Sequence, residues 1–126
     1  MRGSLLAGEY PGSLDDDKER LNVRYLLDVG VNVFMDLTEE DELKPYVEVL
    51  NQEADSLGIS AQSQRWPIRR LGVPTAEAMI STLDAIDDAV ASGAVVYLHC
   101  GSGIGRTGTV IGCYLVRHGM TGIEAL

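Results

Sequence analysis

Apolar residues follow two alternating patterns along this chain. Short, largely apolar runs, at 31–37 and 94–98, are typical of buried strands. Between them, apolar residues recur every three or four positions, which predicts helices over 16–28, 45–57, 74–92 and 107–118. Strands that alternate with helices are typical of an α/β fold. We therefore predict a mostly parallel sheet of about four to five strands, with helices on both faces.

Glycine and proline mark the ends of these elements. Gly30, Gly58 and Gly93 each follow a helical stretch, where glycine is favoured just beyond a helix C-terminus. Pro45 and Pro74 stand at the start of two helical stretches. Proline fits the first turn of a helix because the N–H group that it lacks would be unpaired there.

Three helical stripes are predicted to face the core. They comprise Val47, Leu50, Ala54 and Leu57 in the second helix, Ile80, Leu83, Ile86 and Val90 in the third, and Val110, Ile111, Tyr114 and Leu115 in the last. A short opening strand near residue 5 and a less regular strand within 59–68 complete the predicted sheet.

Length and charge narrow the classes of protein. With 126 residues, 45% of them hydrophobic, we expect one domain over 1–126, trimmed at one or both ends because 120–126 resemble the start of another helix. The formal net charge of −9 argues against nucleic-acid binding and against attraction to anionic membranes. The sequence has neither an apolar stretch of about eighteen residues nor a secretory leader, so we expect a cytoplasmic protein.

The candidate chemistry lies in a glycine-rich turn between the strand at 94–98 and the last helix. Residues 99–108 read His-Cys-Gly-Ser-Gly-Ile-Gly-Arg-Thr-Gly. Glycines let the backbone N–H groups of such a turn converge on an anion, and the positive end of the following helix points at the same place. We therefore predict a phosphate-binding loop. Its candidate ligands are Gly101, Ser102, Gly103, Ile104, Gly105 and Arg106.

Side chains of this turn suit an attack on phosphorus. The planar fork of Arg106 matches phosphate oxygens in a way that lysine cannot. Cys100 lies where the positive potential converges, which favours its thiolate form and makes it the candidate nucleophile. Thr107 is placed to set its hydroxyl against the sulfur and stabilise it as a leaving group. His99 is expected to anchor the turn by hydrogen bonding, with its side chain directed away from the pocket.

The turn is identified as the protein tyrosine phosphatase signature, Cys-x5-Arg-Thr. The chain resembles the dual-specificity-like members of that superfamily along nearly all of its length. Residues 5–12 resemble their opening strand and turn, 33–38 their second strand and its loop, and 66–74 the loop that carries their general acid.

The resemblance implies a protein phosphatase that uses no metal and no cofactor. Its substrate and partner would be a phosphorylated protein or peptide, hydrolysed through a phosphocysteine intermediate, and phosphate or sulfate would bind in the loop. No long insertion separates the predicted helices. We therefore expect a shallow pocket that admits phosphoserine and phosphothreonine as well as phosphotyrosine.

The resemblance fails at the general acid. The family has aspartate where this chain has Arg70. An arginine keeps its proton at any accessible pH, so it cannot donate one to a leaving group. Loss of a positioned proton donor typically costs about 10²- to 10⁴-fold in rate, most for poor leaving groups. The substitution therefore predicts impaired catalysis.

Three explanations of Arg70 stay open: a slow enzyme, an acid placed elsewhere, or a pseudophosphatase that binds phosphate without turnover. Glu39, Glu40 and Asp41 are the candidates for a displaced acid, since their loop would open on the same edge of a parallel sheet as the cysteine turn. They also fit an acidic first turn of a helix or a solvated surface. Arg69 and Arg70 fit an exposed basic pair or contacts to an anionic substrate.

Two other readings of the cysteines are weaker. Sulfur-transfer enzymes of the rhodanese type also use a cysteine at the head of an anion loop. Cys113 lies on the predicted last helix, where a thiol in the core is favoured over a regulatory disulfide with Cys100. With two histidines and two cysteines, the sequence shows no metal-ligand spacing.

Overall fold

The computed structural model describes residues 3–70, 74–101 and 105–119. Strands and helices alternate within these ranges: β1 (Ser4–Gly8), α1 (Asp16–Asp28), β2 (Val33–Asp36), α2 (Val47–Leu57), β3 (Gln62–Arg65), α3 (Ala76–Ala91), β4 (Val95–His99) and α4 (Gly105–Arg117). The four strands pair in parallel in the order β1-β4-β2-β3. The predicted α/β class with a parallel sheet is confirmed.

Helices cover both faces of the sheet because the buried strands alternate apolar side chains between them. Phe34 and Tyr97 pack on the face covered by α1 and α2. Met35, Val96 and Leu98 pack on the face covered by α3 and α4. The sheet therefore has a separate apolar cluster on each side.

Local sequence determines where the helices begin and end. The Asp15 side chain caps α1 by accepting from the N–H groups of Asp17 and Lys18, and Thr75 caps α3 by accepting from that of Ala78. Downstream of α2, Gly58 adopts the left-handed conformation with φ 67°. No helix in the described ranges is both long and apolar enough to cross a membrane.

Three sequence predictions about the helices are corrected. Pro45 lies before Tyr46, the N-cap of α2, because the buried Tyr46 ring holds the chain against the sheet until the helix begins. Val47, the first residue of the helix, is 42% exposed, whereas the preceding Tyr46 is directed into the core. Ile80 is 52% exposed, since the inward stripe of α3 begins one residue earlier, at Met79.

The last helix begins at Gly105, two residues before the predicted start, and ends at Arg117. This start places Arg106 and Thr107 in the first turn, where both side chains are buried. The predicted further helix at 120–126 lies outside the described residues.

Parallel register brings the carboxyl ends of all four strands to one edge. Asp36 pairs with His99 and with Arg65, and Gly8 also pairs with His99. The segments that follow β1, β2, β3 and β4 therefore open side by side at this edge of the sheet.

A buried polar cluster lies beneath this edge, around a completely buried His99. The Tyr46 hydroxyl lies 2.5 Å from His99 Nε2. On the other side of the ring, Nδ1 is 3.8 Å from Asp36 Oδ1 and has no hydrogen-bond partner among the described residues. Asp36 is itself held by the backbone N–H and the hydroxyl of Thr38. The cluster ties β2, β4 and the start of α2 together.

Burial keeps His99 neutral. Loss of hydration lowers the pKa of His99 from 6.5 to about 4, although the negative charge of Asp36 opposes this shift. A neutral ring carries one proton, so the Tyr46 hydroxyl and Asp36 do not both face an N–H group.

Replacing His99 tests whether the folded protein keeps this imidazole neutral. The unfolded chain protonates it near the ordinary pKa of 6.5, whereas the folded protein does so only near pH 4. The resulting stabilisation is complete above pH 6.5 and is lost as the pH falls through about 4. We expect the free energy of unfolding, measured with urea, to fall less over this interval in His99→Gln than in the wild type. Identical pH profiles for the two proteins would show that the imidazole is not held neutral.

Candidate active site

The segment between β4 and α4 forms the centre of the candidate site at the carboxyl edge. Cys100 directly follows β4, is 2% exposed and lies at the end of the apolar cluster under α3 and α4. Arg106 and Thr107 return to the same place from the first turn of α4. Of the predicted phosphate ligands, Ser102, Gly103 and Ile104 lie outside the described residues.

Arg106 points into the site and joins three segments of the chain. One terminal nitrogen, Nη1, donates to Glu42 Oε1 at 2.7 Å and to the Ile68 carbonyl at 3.0 Å. The other, Nη2, donates to Glu42 Oε2 at 2.6 Å. This two-pronged pairing is the geometry in which a guanidinium binds a carboxylate or a phosphate most tightly. The Arg106 side chain is 7% exposed and that of Glu42 is 12% exposed.

Arg106 and Glu42 each stabilise the charged form of the other. Hydrogen bonding to Glu42 is the main cause that raises the pKa of Arg106, burial opposes it, and the charge and hydrogen bonding of Cys100 add smaller contributions. Hydrogen bonding to Arg106 in turn is the main cause that lowers the pKa of Glu42, with a smaller contribution from the charge of Arg70. Glu42 is therefore ionised in the resting protein, and Arg106 lies close to the Cys100 sulfur.

The Glu42 carboxylate lies against the first glycine of the predicted phosphate loop. A Cβ atom on Gly101 would be 2.7 Å from Glu42 Oε2 and 3.1 Å from Arg106 Nη2. A side chain at position 101 would therefore force the carboxylate to move. The absence of a Cβ lets Glu42 reach the position next to the candidate nucleophile.

Sequence reasoning missed Glu42, although it examined the three residues before it. Glu39, Glu40 and Asp41 are all exposed. A tight turn carries the chain back: Asp41 has φ 64°, and the Glu42 N–H donates to the Glu39 carbonyl. The turn directs the fourth acidic residue inward. An acidic run alone does not show which of its members faces the site.

Arg70, which the sequence analysis predicts at the position of the family's general acid, lies near Glu42 at the candidate site. Arg69 and Arg70 are both exposed, in the segment that follows β3. Arg70 is near enough to Glu42 for its charge to help lower the pKa of that carboxyl. Arg70 therefore adds positive charge beside the Glu42–Arg106 pair.

Thr107 and Cys113 occupy different environments on α4. The Thr107 side chain is buried, and its hydroxyl has no hydrogen-bond partner among the described residues. Cys113 is partly buried and packs against the apolar cluster under α4. No disulfide joins the described residues, and no group of three or more His, Cys, Asp or Glu side chains among them is arranged to hold a metal ion.

Solved phosphatases share this architecture. The structure of Tk-PTP in its active form superposes with a TM-score of 0.74 at 23% identity, over 98% of this chain and 76% of that chain. Kinase-associated phosphatase, with its catalytic cysteine replaced by serine, gives 0.71 at 19%, over 96% and 70%. Pseudomonas aeruginosa TpbA, solved with phosphotyrosine, gives 0.63 at 22%, over 84% and 60%. These similarities establish a protein tyrosine phosphatase fold.

Sequence relatives agree with the fold. Dual specificity protein phosphatase CDC14AB of Danio rerio is 67% identical over 27 residues, which are 21% of this chain and 4% of that protein. CDC14B of Mus musculus is 53% identical over 32 residues, 25% of this chain and 7% of that protein. The chain thus matches only a small share of the length of these relatives. The family Tc-R-P, described as a polymorphic toxin system DSP-PTPase phosphatase, matches residues 11–120, and the chain belongs to this family.

Proposed function

We propose that this phosphatase hydrolyses phosphomonoesters of proteins or peptides with Cys100 as its nucleophile. The observation that carries the proposal is the buried Arg106 fork, which faces inward beside Cys100 at the carboxyl edge of the sheet. A nucleophilic sulfur and a guanidinium that offers paired N–H donors are the two groups that thiolate attack on a phosphoryl group needs.

The reaction has two displacements on phosphorus. In the first, the Cys100 sulfur forms a bond to phosphorus while the bond to the leaving oxygen breaks, and Arg106 with the loop N–H groups holds the equatorial oxygens. In the second, water attacks the phosphocysteine and the electron pair of the S–P bond returns to sulfur. The buried Thr107 hydroxyl, which has no other partner among the described residues, supports a role in stabilising that sulfur.

The family and the charge distribution support a class of substrate. A shallow site of the dual-specificity kind would accept phosphotyrosine and also phosphoserine or phosphothreonine. The phosphotyrosine complex of TpbA, a protein of the same fold, supports the first of these ligands. Arg69 and Arg70 supply local positive charge at the rim of a chain whose formal net charge is −9. This arrangement favours an anionic substrate at the active-site edge.

A pseudophosphatase that binds phosphate without turnover is the second candidate. One observation favours it: Arg70 stands at the predicted general-acid position. The lack of an acid there would slow turnover without preventing an anion from binding, although the anion would have to share Arg106 with Glu42 or displace it.

Hydrolysis of 4-nitrophenyl phosphate separates the two functions, because its leaving group departs with little help from an acid. We expect steady turnover by the wild type, none above background by Cys100→Ser, and wild-type turnover by Cys113→Ser, the matched control. Absence of turnover in the wild type at high enzyme concentration would favour the pseudophosphatase. Retained turnover in Cys100→Ser would exclude the mechanism.

Replacing Thr107 with alanine should slow the second displacement more than the first. Loss of a hydrogen bond to a charged sulfur is expected to slow phosphocysteine hydrolysis by about tenfold to a hundredfold. Stopped-flow measurements should then show a burst of 4-nitrophenol followed by a slow steady rate. Thr109→Ala is the control, since the Thr109 hydroxyl donates to the Gly105 carbonyl on the same helix. Equal effects of the two substitutions, or no burst, would contradict the role of Thr107.

A further inference from the structure

We propose that Glu42 is the general acid of this phosphatase and takes over the role of the aspartate that Arg70 replaces. The inference rests on the proposed phosphomonoester hydrolysis. Its structural basis is the Glu42 carboxylate, which lies on the Arg106 fork and against Gly101, at the entrance of the loop that begins with Cys100.

Other acidic side chains near this edge are placed less well. Glu39, Glu40 and Asp41 belong to the same turn but are exposed. Asp36 lies below the edge, 4% exposed, and its Oδ1 accepts the N–H and the hydroxyl of Thr38. Among the described residues, Glu42 is thus the carboxylic side chain whose oxygens contact the catalytic arginine.

Substrate binding changes the charge balance around Glu42. In the resting protein, the paired guanidinium stabilises the ionised carboxylate. A phosphoryl dianion competes for the same N–H groups of Arg106 and brings two negative charges next to the carboxylate. Both effects favour the protonated form, because a like charge nearby disfavours ionisation and a lost ion pair no longer supports it. Binding of the anion thereby favours protonation of Glu42, which can then act as a proton donor.

The Glu42 proton is then transferred to the leaving oxygen. As the Cys100 sulfur bonds to phosphorus, the P–O bond breaks and its electron pair goes to the leaving oxygen, which takes the proton from Glu42. In the second displacement, the Glu42 carboxylate takes a proton from the attacking water, and the S–P electron pair returns to sulfur. The cycle consumes one water and restores both the thiolate and the carboxylic acid.

A different role for Glu42 predicts different kinetics. If Glu42 only positioned Arg106, its loss would weaken phosphoryl binding and transition-state stabilisation for all esters alike. If Glu42 donates a proton, its loss lowers the reaction rate more as the leaving oxygen becomes more basic. The dependence of the rate on the leaving group therefore separates a proton donor from a positioning residue.

The experiment compares Glu42→Gln with the wild type on 4-nitrophenyl phosphate, phenyl phosphate and an alkyl phosphate. We expect kcat/KM to fall by about 10²- to 10⁴-fold for phenyl phosphate and the alkyl ester, and by less than about tenfold for 4-nitrophenyl phosphate. Glu40→Gln, a change at an exposed neighbour in the same turn, should match the wild type on all three esters. Glutamine preserves the shape of the side chain and one acceptor oxygen, which guards against a folding defect.

A rescue variant completes the test. Restoring an acid at the usual position with Arg70→Asp in the Glu42→Gln background should recover phenyl phosphate hydrolysis by at least about tenfold. An equal loss for all three esters, or no recovery in the double variant, would overturn the assignment of Glu42. Failure of the proposed function has a separate result: the wild type itself would not hydrolyse 4-nitrophenyl phosphate.

Discussion

A buried guanidinium has to be paired, and in this protein that requirement organises the candidate active site. Taking the charge of Arg106 out of water costs several kcal/mol unless a counter-charge and hydrogen bonds compensate. Glu42 and the Ile68 carbonyl supply both in the resting structure. An arriving phosphoryl group offers the same guanidinium a second anionic partner. Under the proposed function, substrate must share or displace this contact.

The parallel sheet explains why groups far apart in sequence meet at Arg106. Glu42 and Ile68 lie 64 and 38 residues before it. Each follows a strand whose carboxyl end reaches the same edge, since β2, β3 and β4 pair in parallel with Asp36 opposite both Arg65 and His99. The buried cluster around His99 holds two of these strands and the start of α2 together. The strand register thus brings Glu42 and the Ile68 carbonyl to Arg106.

Much of this arrangement is predictable from sequence because it depends on local patterns. Apolar spacing and caps place the helices and strands, and the residue types of the Cys100 turn point to phosphate chemistry. The errors arise where tertiary contacts determine the start of a helix or the direction of a side chain. The Tyr46 ring delays the start of α2, and the stripe of α3 is rotated so that Ile80 faces solvent. The inward direction of Glu42 depends on a tight turn with a left-handed residue, which an acidic run does not reveal.

The proposed exchange of partners at Arg106 can be tested by calorimetric titration with sulfate, a tetrahedral dianion that does not itself titrate near neutral pH. Binding is followed at mildly acidic pH in two buffers that differ in ionisation enthalpy, which gives the number of protons taken up. The account predicts that the wild type takes up a proton as sulfate binds, whereas Glu42→Gln binds sulfate without doing so. Sulfate binding to the wild type without proton uptake would contradict it.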